Sequence, residues 1–171
     1  MKNTLLFAAM LAGSLFMSSC GKDEVEATPA PTLYDRLGKT EGISNIVDAL
    51  IANVGAETAT TNSVMLRSHK PMLDAVNGVS GVNGGAPTDP TRLQRLRNNV
   101  IDQLGEATGG PLTYKGKSML VAHTGMAVTN NEFSVWRKQL EASLNTNKVS
   151  ETDKAALYVI IDKMHDDVVN H

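Results

Sequence analysis

Ala107-Thr-Gly-Gly-Pro-Leu-Thr-Tyr-Lys-Gly-Lys-Ser-Met-Leu-Val-Ala-His123-Thr-Gly-Met-Ala-Val-Thr-Asn-Asn-Glu-Phe133 decides how the rest of the chain is read. Gly109-Gly110-Pro111 stops a helix, because glycine takes the left-handed cap and proline cannot continue the ladder. Thr129-Asn-Asn-Glu132 is a capping box that starts the next helix, with Val128 and Phe133 placed as its hydrophobic staple. Between these two signals stands a single histidine on a short helix, surrounded by Ala122, Met126, Val128 and Phe133. No second histidine, cysteine or paired carboxylate sits at chelating distance along the chain, which weighs against a zinc site.

Working outward, helices recur on both sides. Ile43, Ile46, Val47, Leu50, Ile51 and Val54 fall on one helical face. Asp89-Pro90 opens a long helix as N-cap and first residue, and Leu93, Leu96, Val100, Ile101 and Leu104 form its stripe. Phe133, Trp136, Leu140 and Leu144 line the helix after the capping box. A last helix opens near Ser150 and carries Leu157, Ile160, Ile161, Met164 and Val168 on one face. No run alternates with period two, so the chain reads as all-α. With only three Phe, three Tyr and one Trp, its core must come from Leu, Ile, Val and Met.

A neutral imidazole in a hydrocarbon setting is what a haem iron asks of a protein, though a satisfied structural histidine is the plainer reading of His123 alone. The whole block resembles the proximal half of a truncated (two-over-two, group 1-like) globin, in which a pattern GGP…Y.G..M…H.G……F surrounds the iron-bound histidine. Tyr34-Asp35-Arg36-Leu37-Gly38 is similar to that family's LY.RLGG opening, with Lys39 in place of the second glycine. The resemblance implies a two-over-two helical sandwich around haem b and His123 as proximal ligand. It also implies that Tyr114 and Met119 line the haem edge and that Lys117 can reach a propionate. It fails between Val54 and Asp89, where residues 54–89 read as an enlarged, inserted loop. The family normally places a phenylalanine on the haem there; none occurs in this stretch, and Met65 is the nearest substitute.

The distal side departs from the family. Its members usually donate hydrogen bonds to dioxygen from a tyrosine late in the second helix, often helped by a glutamine in the long helix. In this chain those positions fall on Ile51 and on Leu96 and Val100, all apolar; a shift of a residue would bring Asn98 or Asn99 inward. His69, in the extra segment, is a candidate sixth ligand set against a solvent-exposed loop histidine. His165 reads as a helix-boundary residue and His171 as a frayed one.

The first nineteen residues read as a signal peptide: a basic start, an apolar run from Leu5 to Phe16 too short to span a bilayer, and Met17-Ser18-Ser19-Cys20. That ending resembles a bacterial lipobox, which implies lipidation of Cys20, the only cysteine. Gly21-Lys22-Asp23-Glu24 is similar to a tag that carries outer-membrane lipoproteins to the cell surface. Residues 20–32 then form a polar, proline-bearing tether. Leu33 to His171 is one domain by length.

A formal charge of −2 without basic clusters argues against nucleic acid. The expectation is an outer-membrane lipoprotein, periplasmic or surface-exposed, held in the membrane by the lipid on Cys20. It would bind a diatomic gas (O2, NO or CO) at haem. Redox chemistry on that gas, such as nitric-oxide detoxification, is left open, and any reductase must be a separate protein. Two alternatives stand beside it: a surface lipoprotein that captures haem or passes it to an acceptor, and a haem-free globin scaffold serving adhesion or assembly.

Overall fold

The structure, a computed structural model, describes residues 29–77, 89 and 91–171. The signal peptide, Cys20, most of the tether, Pro90 and the Gly-rich stretch before Asp89 lie outside the described residues. The order is α1 (Leu33–Arg36), α2 (Lys39–Thr58), α3 (Leu66–Val76), α4 (Arg92–Ala107), α5 (Met119–His123), α6 (Asn130–Thr146), α7 (Glu151–Asp162) and α8 (His165–Val168). Among the described residues no helix is long and apolar enough to cross a membrane.

The all-α expectation is met. Helix α2 is the hub, packing against both α4 and α6. Its Ile43, Ile46 and Val47 are fully enclosed with Leu140 and Leu144 of α6 and Leu157 of α7. The bidentate pair of Arg97 and Asp48, at 2.5 and 2.7 Å, ties α4 to α2. Each partner lies about one turn from an expected distal residue, Val100 and Ile51 respectively.

The two family-like motifs meet in space. At the end of α4 the Gly110 amide donates to the Gly105 carbonyl at 2.8 Å and Gly109, at φ +86°, donates to Glu106 at 3.1 Å. This is the paired closure of a Schellman cap. Tyr34 then docks on it: its amide donates to the Thr108 carbonyl at 2.9 Å. A β-carbon on Gly110 would stand 2.4 Å from the Tyr34 ring, so only glycine admits that approach.

Lys39, where the family pattern has its second glycine, sits at φ +59°. The left-handed region costs a residue with a β-carbon about 1–2 kcal/mol. Glycine gives back roughly 0.4–1 kcal/mol through its freer unfolded chain. Lys39→Gly is therefore expected to stabilise the domain by about 0.5–1 kcal/mol, read as a higher denaturation midpoint; an unchanged or lower midpoint would contradict the strain argument.

Four expectations are corrected. Residues 54–89 are not a loop throughout: α2 runs on to Thr58, the Glu57 carboxylate gathers the Ser63 hydroxyl and Val64 amide at 2.7 Å each, and α3 follows. The long helix starts at Arg92 with Thr91 at its N-cap and no side-chain cap, rather than with Asp89 as the cap; Asp89 instead accepts from the Thr91 amide at 3.1 Å in the turn before it. The tether ends earlier than Thr32, because Thr32 caps α1 through a full capping box and the Pro31 carbonyl accepts from Arg36 at 2.8 Å. The last helix is two, broken at Lys163–Met164, because the chain must turn to pair Val169 with Val128 in an isolated parallel bridge.

Candidate functional site

Helix α5 is set up by what precedes it. The Tyr114 hydroxyl donates to the Lys117 carbonyl at 2.7 Å and its amide donates to the Glu106 carboxylate at 3.0 Å, which fixes the 114–117 turn against the end of α4. Ser118 then caps the helix by accepting from the Val121 amide. The helix is Met119-Leu-Val-Ala-His123, four apolar residues and a histidine, and none of the five is buried. Leu120 is 41% and Val121 56% exposed, while Ala122 is also exposed.

His123 is half-buried and its Nδ1 lies 2.8 Å from the Met119 carbonyl oxygen. A carbonyl only accepts, so Nδ1 carries a proton, and in the neutral ring the lone pair is on Nε2. The contribution of Met119 that the structure displays is thus its backbone oxygen, a role its side chain does not announce.

The turn after His123 is gripped from two sides. The C-terminal segment donates and accepts along it: Ala127 N–H to the His171 carbonyl at 2.6 Å, and Asn170 N–H to Val128 at 2.8 Å. His171, expected to fray, is a fastened residue. Arg67 of α3 supplies the second grip, donating to the Met126 and Ala127 carbonyls and to Glu132.

Glu132 is 4% exposed and closes the capping box with Thr129. Burial pushes its carboxyl up, but hydrogen bonds from the Thr129 backbone and hydroxyl and from Arg67 outweigh that and hold it below the usual carboxylate range. A depressed pKa means the clasp is intact at neutral pH and is lost as acid carries the group through its folded pKa.

Of the other expected site residues, Val128 is buried at the Val169 bridge, and Met126 is half-buried. Phe133 is half-buried against the core, with His165 edge-on at 5.0 Å. His165 opens α8 and meets the Asn130 carbonyl-type oxygen at 2.8 Å, which agrees with a helix-boundary role.

On the α2–α4 side, Ile51 and Val100 are half-buried against the core and Leu96 is 39% exposed. Asn98 and Asn99 are exposed, and Asn98 accepts from Gln94 at 2.8 Å, so neither turns toward the core. Met65 is fully buried at the start of α3. His69 is not a solvated loop residue: it is half-buried on α3, its Nδ1 3.0 Å from the Met65 carbonyl.

Comparison with protein families matches residues 85–170, from the approach to α4 through α8, to the model described as bacterial-like globin. The chain belongs to the bacterial-like globin family. This globin also superimposes on the Fe(III) form of truncated hemoglobin from Tetrahymena pyriformis at TM-score 0.62 and 23% identity, covering 82% of this chain and 100% of that one. Two point mutants of the same Tetrahymena protein, also in the Fe(III) form, match over the same shares: one glutamine-to-glutamate mutant at 0.61 and 22%, and the tyrosine-to-phenylalanine mutant at 0.60 and 20%. The fold is therefore that of a truncated globin, as the two motifs implied. A comparison with curated proteins found no match.

Sequence reasoning missed Arg67 and the tail from Val169 to His171. Arginine in a polar segment and a short C-terminal run carry no periodic signal, so nothing in the sequence marks either as part of the site.

Proposed function

We propose that this globin binds haem b with His123 Nε2 on the iron and uses it to bind a diatomic gas. The observation that carries the reading is the 2.8 Å bond from His123 Nδ1 to the Met119 carbonyl. It puts a proton on Nδ1, so that of the two ring nitrogens Nε2 is the one available to a metal, and it fixes the ring plane, as the second hydrogen bond of a metal-ligating histidine does. Helix α5 fits the group as well: four apolar residues lie unburied beside that nitrogen, and a flat hydrocarbon macrocycle would give them a surface.

Bound haem supplies an iron that coordinates a gas reversibly and changes oxidation state. The residues of this chain would hold it: His123 at the iron, with Ile51, Leu96 and Val100 as an apolar wall. Met119, Ala122, Met126, Val128, Phe133 and Tyr114 complete the setting. His69 has the same polarity as His123, with Nδ1 on the carbonyl four residues back, which leaves its Nε2 available as a sixth ligand. An apolar wall favours gases that need no hydrogen bond, such as carbon monoxide and nitric oxide, over tight oxygen storage. Attachment to the outer membrane through lipid on Cys20 is the matching proposal for place, supported by the Leu5–Phe16 run and the Ser18-Ser19-Cys20 junction.

The exposure of α5 favours a second reading, in which the haem is passed on. Mixing the haem-loaded chain with apomyoglobin and following the Soret band separates the two. A resident cofactor is expected to transfer over hours or longer, as from storage globins; complete transfer within mixing time would make this a haem-handing protein. A chain that never forms a sharp Soret band with hemin would leave the haem-free scaffold as the reading.

A further inference from the structure

We propose that Arg67, on helix α3, is a positioning residue for His123. The proposal rests on the reading of His123 as iron ligand.

The geometry is a relay of hydrogen bonds. Arg67 Nη1 donates to the Met126 carbonyl at 3.0 Å and Nη2 to the Ala127 carbonyl at 2.7 Å. The Met126 amide in turn donates to the carbonyl of His123 at 2.9 Å. The residue that Arg67 grips is therefore bonded to the backbone of the histidine itself. The histidine ring is locked on the same short helix through Met119.

Hydrogen bonds rather than burial hold this turn. Thr124, Gly125 and Ala127 are exposed, so hydrophobic burial does not fix it. Two of its residues are left-handed, Gly125 at φ +84° and Ala127 at φ +49°, and the second is strained because it carries a β-carbon. A strained, exposed turn keeps its shape only where neighbours over-determine it. Arg67 does so from one side and the His171 carbonyl from the other.

Arg67 is itself anchored. Its Nη2 donates to Glu132 Oε2 at 2.5 Å, and Glu132 is buried and fastened to Thr129 at the first turn of α6. The planar guanidinium is suited to this, since one fork reaches two carbonyls and a carboxylate together; a lysine ammonium has no such fixed spread. Helix α3 precedes the residues matched by the family model, so the coupling ties a segment outside that match to the proximal turn.

The test uses the full chain loaded with haem, as wild type, Arg67→Lys, Arg67→Met and Ala127→Gly. Resonance Raman of the ferrous form reads the iron–histidine stretch, and the carbon monoxide complex reads the distal side. Both Arg67 variants are expected to shift or broaden the iron–histidine band and to release hemin several-fold faster, with the distal carbonyl bands unmoved. Ala127→Gly, which relaxes the same turn without touching Arg67, should move the iron–histidine band too. If an Arg67 variant fails to fold, Glu132→Gln weakens the anchor more gently and should produce a smaller shift.

A band identical to wild type in folded Arg67 variants, with only thermal stability reduced, would overturn the positioning role. A wild type that binds haem but shows no iron–histidine band would instead sink the ligand assignment beneath it.

Discussion

Replacing His123 by alanine is expected to abolish the sharp Soret band that the chain is proposed to form with hemin, or to alter it strongly. His123 is the one histidine of the 107–133 block, and its bond to Met119 uses Nδ1, which leaves Nε2 as the nitrogen that would meet a metal. Remaining apolar contacts could hold the macrocycle loosely, so hemin uptake itself need not vanish; the bond to iron should. The spectrum with carbon monoxide and added imidazole decides it. Imidazole is expected to restore the wild-type ferrous spectrum in His123→Ala, because it refills the space left by the side chain with the same donor. An unchanged spectrum in the mutant would remove His123 from the iron and move attention to His69.

The second large effect lies opposite. Ile51→Tyr is expected to slow oxygen release roughly 10- to 150-fold, the factor that corresponds to a hydrogen bond to a charged acceptor worth on the order of 1.5–3 kcal/mol. Oxygen held at haem iron carries partial negative charge, whereas carbon monoxide carries little, so carbon monoxide release should barely change. Ile51→Phe is the control for volume, and only the tyrosine should discriminate between the gases. Ile51 lies one turn from Asp48, whose pair with Arg97 fixes how α2 crosses α4, so the new hydroxyl would be presented from a held helix. Equal oxygen release in all three proteins would mean that residue 51 does not face the gas.

How much of this was legible beforehand depends on the kind of signal. Features encoded within a few residues agree with the structure: the Thr129–Glu132 capping box, the Gly109-Gly110 stop, the faces of α2, α6 and α7, and the C-terminal half of the α4 face, where Ile101 and Leu104 are buried while Leu96 is exposed. Each of those is a local stereochemical rule or a 3.6-residue period. Helix α3 was not legible, because Pro71 stands inside it and interrupts the pattern that a helix is recognised by. It persists because its N-terminal half is fastened from outside, by Arg67 to α6 and by Met65 in the core. The break before α8 was equally hidden. Its cause is a long-range pairing of Val169 with Val128, and apolar spacing continues straight through it. At the candidate site the block that carries His123 was legible, while Arg67 and the tail were not, since their partners are backbone carbonyls that any sequence offers.

The unburied state of α5 has a consequence for how the protein would be loaded. Amide exchange follows the cheapest opening available, and a five-residue helix that buries no side chain opens at a small fraction of the cost of unfolding α2 or α6. The globule can then keep its core closed while that one segment swings out and returns. Cofactor uptake would then be a local ordering event rather than a step in folding, and the chain would fold before it is loaded.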